Sequence, residues 1–138
     1  MNIKEINKIC YCASNLKFSE CCLPIILGQK NASTAEELMR SRYSAYVIKN
    51  FDYLKESLDP EKYSSFNKIA LIQSSKNIKW LKLEILETFA GKENDELGEV
   101  IFIAYFKLLS TNKKYKHHEH SYFKKINGKW FFVYGDVK

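Results

Sequence analysis

Arginine is nearly absent from this chain. Only Arg40 and Arg42 among its 22 Lys plus Arg residues are arginine, so lysine serves wherever a positive charge alone is needed. Long apolar runs are missing too. The longest wholly apolar stretch, Val100 to Phe106, is far too short to span a bilayer, which excludes insertion by a transmembrane helix. Met1 to Lys8 is polar and charged, with no apolar segment of a secretory signal behind it. The expectation is a cytoplasmic protein with reduced thiols. There is no Gly-rich phosphate loop, no nucleophile elbow and no Asp-rich metal motif, so the usual signatures of phosphate cradling and nucleophilic catalysis are lacking.

What is present suits a single soluble domain with a small appendage. The chain has 138 residues, is 46% hydrophobic and 28% charged, and carries a formal charge of +6. That length buries a sizeable core without covalent staples. The positive charge implies weak attraction to acidic partners, but the lysines are dispersed from Lys4 to Lys138 and read as a solvated surface.

Three stretches differ in character. Residues 1–28 contain all four cysteines and end in a turn at Gly28. Residues 34 to about 75 read as helices. Thr34 is an N-cap with Glu37 at the capping-box spacing, and Ala35, Leu38, Met39, Tyr43, Tyr46 and Val47 follow at helical period. Phe51 to Leu58 and Glu61 to Ser75 predict two further helices on either side of Pro60. From residue 78 the period changes to two. Strands are expected over Trp80–Phe89, Glu99–Leu109, Tyr115–Ile126 and Lys129–Gly135, with the second apolar on both faces and therefore central. Asn127-Gly128 marks a tight hairpin between the last two. Helices followed by an antiparallel sheet predict an α+β fold: a cone-shaped curved sheet packed on N-terminal helices, with a cavity at its mouth.

The cysteines fall as "CYCASNLKFSECC", at positions 10, 12, 21 and 22. Disulfides fit this spacing badly, because adjacent cysteines bridge only through a strained ring and the expected compartment is reducing. Two close thiol pairs joined by a short loop can instead place four sulfurs about 2.3 Å from a zinc ion. Cys10, Cys12, Cys21 and Cys22 are therefore the expected ligands of one structural Zn2+, with no open coordination position for catalysis. Ser14, Asn15 and Ser19 would supply turn geometry and hydrogen bonds to the thiolates. Four thiolates on a divalent ion lower the chain's charge from +6 to +4, and Lys8 and Lys17 are the nearest lysines in sequence to offset the excess.

The Cys-x-Cys-x8-Cys-Cys spacing resembles the SEC-C zinc knuckle. Leu38-Met39-Arg40-Ser41-Arg42-Tyr43-Ser44-Ala45-Tyr46-Val47 resembles the YchJ-like bacterial family, as do Asp52-Tyr53-Leu54, Trp80-Leu81-Lys82-Leu83, Glu119-His120-Ser121-Tyr122-Phe123 and Gly128 to Gly135. The resemblance covers nearly the whole chain and implies the cone-shaped fold of nuclear transport factor 2. It carries a fold and a metal rather than an activity. The expected division is a SEC-C-like knuckle over 1–28 and a nuclear-transport-factor-2-like domain over 29–138, semi-independent and joined by Leu23 to Ser33. The family's knuckle opens Cys-Pro-Cys-Gly-Ser, where this chain has Cys10-Tyr11-Cys12-Ala13-Ser14. Leu58-Asp59 stand where the family often has Trp-His before proline.

On the helix from Thr34, Arg42 falls inside the apolar stripe and Arg40 at its edge, while Glu37, Ser41 and Ser44 are expected to face water. A charge inside an apolar face needs a partner. Period two places Glu119 with Ser121 and Phe123 on the inward face of its strand, so a buried Arg42–Glu119 pair is expected. Arg40 should be more exposed, its head reaching water or an acidic group. His118 and His120 share the opposite face and read as a solvent-facing cluster rather than a metal site. Most aromatic rings, Phe102, Phe106, Trp130 and Phe132 among them, fall on core positions rather than forming a nucleic-acid stacking platform.

Two functions follow. The first is a zinc-binding, non-enzymatic module that docks an unspecified protein or ribonucleoprotein partner. The second is a small-molecule or enzymatic pocket inside the cone, built from Arg42, Glu119, Trp80 and the acid–base groups of Tyr46, Tyr105 and Tyr134. An open cavity beside Glu119, rather than a plug of aromatics, would favour the second.

Overall fold

The computed structural model describes residues 2–138. Helix α1 (Ile3–Ile6) and α2 (Cys22–Ile26) flank the cysteine loop. Helices α3 (Ala35–Ile48), α4 (Phe51–Glu56) and α5 (Lys68–Ser75) follow. Four strands complete the chain: β1 (Ile78–Ala90), β2 (Leu97–Leu108), β3 (Lys114–Ile126) and β4 (Lys129–Val137). They form one antiparallel sheet in the order β1-β2-β3-β4. The predicted α+β architecture is observed, with β2 and β3 central.

Local chemistry explains the elements. Thr34 Oγ1 accepts a hydrogen bond from the Glu37 N–H at 3.1 Å, and Lys49 closes α3 in the left-handed conformation. Asn127 and Gly128 both have positive φ, the requirement of a two-residue hairpin turn. The expected single helix over Glu61–Ser75 divides in two. A 3-10 turn covers Pro60–Ser65, Phe66 is extended, and the Asn67 side chain accepts from the Ala70 N–H at 3.0 Å to start α5 afresh. An asparagine that hydrogen-bonds its own backbone caps a helix better than it continues one. Likewise α4 stops at Glu56, because the Ser57 hydroxyl turns back to the Tyr53 carbonyl and the chain leaves to pair with β4. The Asp59 N–H donates to the Phe132 carbonyl and the Phe132 N–H to the Ser57 carbonyl, which covers part of the β4 edge.

Bulges bend the sheet. The β1–β2 register shifts between Trp80 and Lys82 and again between Ile85 and Glu87. Each shift adds a residue and reverses which side chains point inward. Leu83 is therefore buried, while Leu81 and Phe89, which a strict period of two would put on its face, are exposed. The concave face buries Val100, Phe102, Ala104, Ser121 and Phe123, and α3 packs on it through β1, β2 and β4.

Helix α3 departs most from expectation. Ser41 and Ser44, predicted to face water, are fully buried at 0% exposure along with Ala45. The sheet covers one side of α3, and the cysteine unit with α4 covers the other. Ser41 Oγ meets the Tyr53 hydroxyl at 2.6 Å, and Ser44 Oγ meets Cys10 Sγ at 3.7 Å. The cysteines, Phe18, Ile25 and Ile26 belong to the same apolar cluster as Leu38, Val100 and Trp130. The two expected units thus share a core across residue 28, and Leu23 to Ser33 is not their sole connection.

The start of α3 also rests on the β1–β2 turn. The Ala35 N–H donates to the Gly91 carbonyl at 3.0 Å, and a Cβ on Gly98 would lie 2.5 Å from Gly91 Cα and 2.9 Å from Ala35 Cβ. Gly98→Ala should therefore lower stability by about 1–3 kcal/mol through overpacking. A urea midpoint indistinguishable from the unsubstituted chain would show that the turn does not pack this closely on α3.

Candidate functional site

Two constellations lie on opposite sides of α3. The first is the cysteine cluster. An antiparallel bridge between Ile9 and Lys17 closes the loop, and the Cys10 N–H donates to the Leu16 carbonyl at 2.7 Å. These bonds fold Cys10 and Cys12 back onto Cys21 and Cys22 at the start of α2. All four sulfurs lie within 4.8 Å of one another, with Cys12–Cys21 at 3.7 Å and Cys21–Cys22 at 3.9 Å. A regular tetrahedron with bonds of about 2.3 Å to a central zinc has edges of about 3.8 Å. The donor set therefore fits a metal ion of that size, and all four cysteines are free thiols. It is the one group of three or more metal-ligating side chains among the described residues.

Charge tells the same story. Without a cation four crowded thiols cannot all ionise, and they share protons instead. Hydrogen bonding with Cys10 holds the Cys12 thiol far below its ordinary value, and a hydrogen bond with Cys22 lowers Cys21 to about 7. Hydrogen bonding with Cys12 raises Cys10 to about 11, and hydrogen bonding with Cys10 and Cys12 drives Cys22 strongly upward. Ser14 Oγ lies 3.2 Å from Cys21 Sγ, as expected of a supporting hydroxyl. Lys8 and Lys17 are both exposed, and a further cation, one that spacing did not point to, touches the loop. That cation is Arg40, which interacts electrostatically with Cys12. Its Nε donates to Glu36 Oε2 at 2.9 Å while Nη1 donates to the Cys12 carbonyl. No sequence spacing links Arg40 to Cys12, since the contact depends on how the loop docks.

The second constellation is an open cavity of about 390 Å³ between α3 and the concave sheet face. Arg42, Tyr46, Trp80 and Glu119 line it, as expected, and Met39, Tyr43, Phe102, Ala104, His117, Ser121, Phe132 and Gly135 join them. Period two from Glu119 already pointed His117 and Ser121 to this face. Tyr105 and Tyr134 are not part of it. The Tyr105 hydroxyl donates to Glu84 at 2.7 Å, and Tyr134 stacks on Tyr122 at 4.5 Å, both on the outer face of the sheet. His120 is on that outer face too, half-buried against Glu99 at 2.7 Å.

The expected Arg42–Glu119 ion pair does not form. Arg42 is buried, and its Nη1 donates to the Leu54 carbonyl at 2.8 Å and to Ser57 Oγ at 2.6 Å. Its guanidinium lies 4.5 Å from the centre of the Phe132 ring. Burial pushes Arg42 below its ordinary value, and the charge of Glu119 only partly opposes this. Glu119 has its own partners, His117 Nε2 at 2.9 Å and the Ser121 hydroxyl. Burial alone would raise Glu119, but these two hydrogen bonds together with the nearby charges of His117 and Arg42 outweigh it and hold the carboxyl below its usual range. Gly135 makes room for the arrangement, because a Cβ there would lie 2.4 Å from Glu119 Cδ. The pairing failed because the α4 C-terminus, whose carbonyls need donors, sits nearer to Arg42 than β3 does.

The family model described as the YchJ middle NTF2-like domain matches residues 34–135. The chain belongs to this family. It is 38% identical to a UPF0225 protein of Corynebacterium glutamicum over 132 residues, covering 96% of this chain and 99% of that one. It is 35% identical to a UPF0225 protein of Geobacter sulfurreducens over 130 residues, covering 94% and 80%. Its structure is similar to the solution structure of a SEC-C motif containing protein from Rhodopseudomonas palustris, with TM-score 0.86 and 34% identity over 95% of this chain and 99% of that one. A crystal structure of a SEC-C motif containing protein from Psychrobacter arcticus matches with TM-score 0.83 and 28% identity, covering 99% and 86%.

Ala13 stands at the glycine of the family's knuckle opening and has φ of +67°. That conformation costs a Cβ-bearing residue roughly 1–2 kcal/mol, of which glycine's greater unfolded-state freedom returns part. Ala13→Gly should stabilise the metal-loaded protein by about 0.5–1 kcal/mol in urea unfolding. A destabilised variant would show that Ala13 is unstrained in this turn.

Proposed function

We propose that this chain is a zinc-stabilised, non-enzymatic binding module whose ligand site is the cone cavity. The observation that carries the reading is the open volume beside Glu119. It lies within the range of small-molecule sites, and apolar walls surround a few convergent polar groups. Four cysteine sulfurs at tetrahedral spacing leave no vacant position on a zinc ion, so the metal's role is structural. Its site and the cavity share α3, which makes the metal a brace for the helix that forms the cavity roof. A second reading, a protein or ribonucleoprotein partner docked on the knuckle, is favoured by the exposed apolar side chains of Ile9 and Leu16 beside Lys8 and Lys17.

Protein purified without added metal should contain one zinc per chain, and the Cys21→Ser, Cys22→Ser variant should contain none. Chelation should remove hydrogen-exchange protection from residues 1–28 and from Ser41 to Ala45, while β2 and β3 remain protected. A metal-free protein with an unchanged exchange pattern would overturn the structural role. For the cavity, a neutral aromatic probe such as benzamide should shift the NMR signals of the Ala104 methyl and the Trp80 indole N–H. Shifts confined to the outer sheet face, or none at millimolar probe, would overturn the ligand-site reading.

A further inference from the structure

The cavity holds a cation without a counter-ion. Arg42 is 8% exposed, yet no carboxylate is in ion-pair contact with it among the described residues. Its internal acceptors are two neutral oxygens, both taken by Nη1, and the face of Phe132. Nε and Nη2 make no hydrogen bond within the protein, and no buried side-chain nitrogen is sealed off without a partner. Their N–H groups are therefore open to the space that Arg42 lines. A guanidinium edge with two free donors matches the two oxygens of a carboxylate, and the pairing strengthens where water is excluded.

The rest of the wall narrows the ligand's class. Trp80 stands edge-on to Tyr43 and Tyr46 at ring-centre distances of 6.1 and 5.9 Å. With Phe102 these rings give apolar and aromatic surface for the body of a ligand. Glu119 lines the same space, and its carboxylate is held by His117 and Ser121. A second negative charge on the ligand would meet it. Resting on the reading of the cavity as a ligand site, we propose that the cavity binds a small monocarboxylate with an apolar, aromatic body, its carboxylate on the free edge of Arg42. Glu119 acts as the specificity group that disfavours dicarboxylates and phosphate dianions.

The test is a titration of the full, metal-loaded chain with benzoate, isosteric neutral benzamide and dianionic terephthalate, followed by calorimetry and NMR. Benzoate should bind at least tenfold more tightly than benzamide, and terephthalate more weakly than benzoate. Arg42→Met should abolish the preference for benzoate while benzamide still binds. Ala104→Leu changes no charge and fills the cavity, so it should remove benzoate and benzamide together, which keeps the proposal testable if the Arg42 variant does not fold. Equal binding of benzoate and benzamide would overturn the carboxylate assignment and leave the cavity reading standing. No binding of either would overturn both. Benzoate binding that survives Ala104→Leu, or terephthalate matching benzoate, would overturn the placement or the role of Glu119 respectively.

Discussion

Helix α3 is covered on two sides, and the rest of the molecule depends on that constraint. The sheet packs on one side and the cysteine unit with α4 on the other. Close approach on the second side is possible only because Ser41, Ser44 and Ala45 are small, and each buried hydroxyl finds a partner. A larger side chain at any of the three would push the cysteine loop or α4 away. The cysteine cluster, three of whose four thiols are buried, would then lose part of its wall.

The two arginines belong to this arrangement. Residues two apart on a helix point about 200° apart, so Arg40 and Arg42 leave α3 toward different neighbours. Arg40 reaches the cysteine loop and Glu36 at once, using two arms of the guanidinium. Arg42 sits over the Phe132 ring and bonds the end of α4 while one edge stays free. Lysine is a single, strongly hydrated point charge and suits neither place. The scarcity of arginine elsewhere fits the same logic, because the dispersed lysines are solvated and need no planar fork.

Electrostatics differ on the two sides of the helix. The cysteine cluster concentrates negative charge that a divalent cation would neutralise, and Arg40 adds to that compensation from the rim. The cavity contains one cation and one carboxylate held apart by separate hydrogen-bond sets. Gly135 permits the second set by leaving space under Glu119. The two groups therefore stand as separate polar groups in largely apolar walls rather than as a closed internal ion pair.

The sequence alone determined the order of helices and then four strands from residue 34, the antiparallel sheet, the Asn127-Gly128 turn, the four-cysteine donor set and the inward face of Glu119. Each is a local matter: a period of 2 or 3.6, a cap, a turn or a ligand spacing. It also placed Arg42 in the buried stripe of α3. Tertiary structure decided the rest. The burial of Ser41 and Ser44 was not legible, because period shows which face is apolar but not whether a second element covers the other. Bulges in β1 reversed the faces of Leu81 and Phe89, since one inserted residue is invisible in an alternating pattern. Arg42 took the nearer acceptors at the end of α4, and Arg40 took the Cys12 carbonyl 28 residues away. Partners of buried charges are chosen by distance in three dimensions, and one-dimensional spacing carries no record of it.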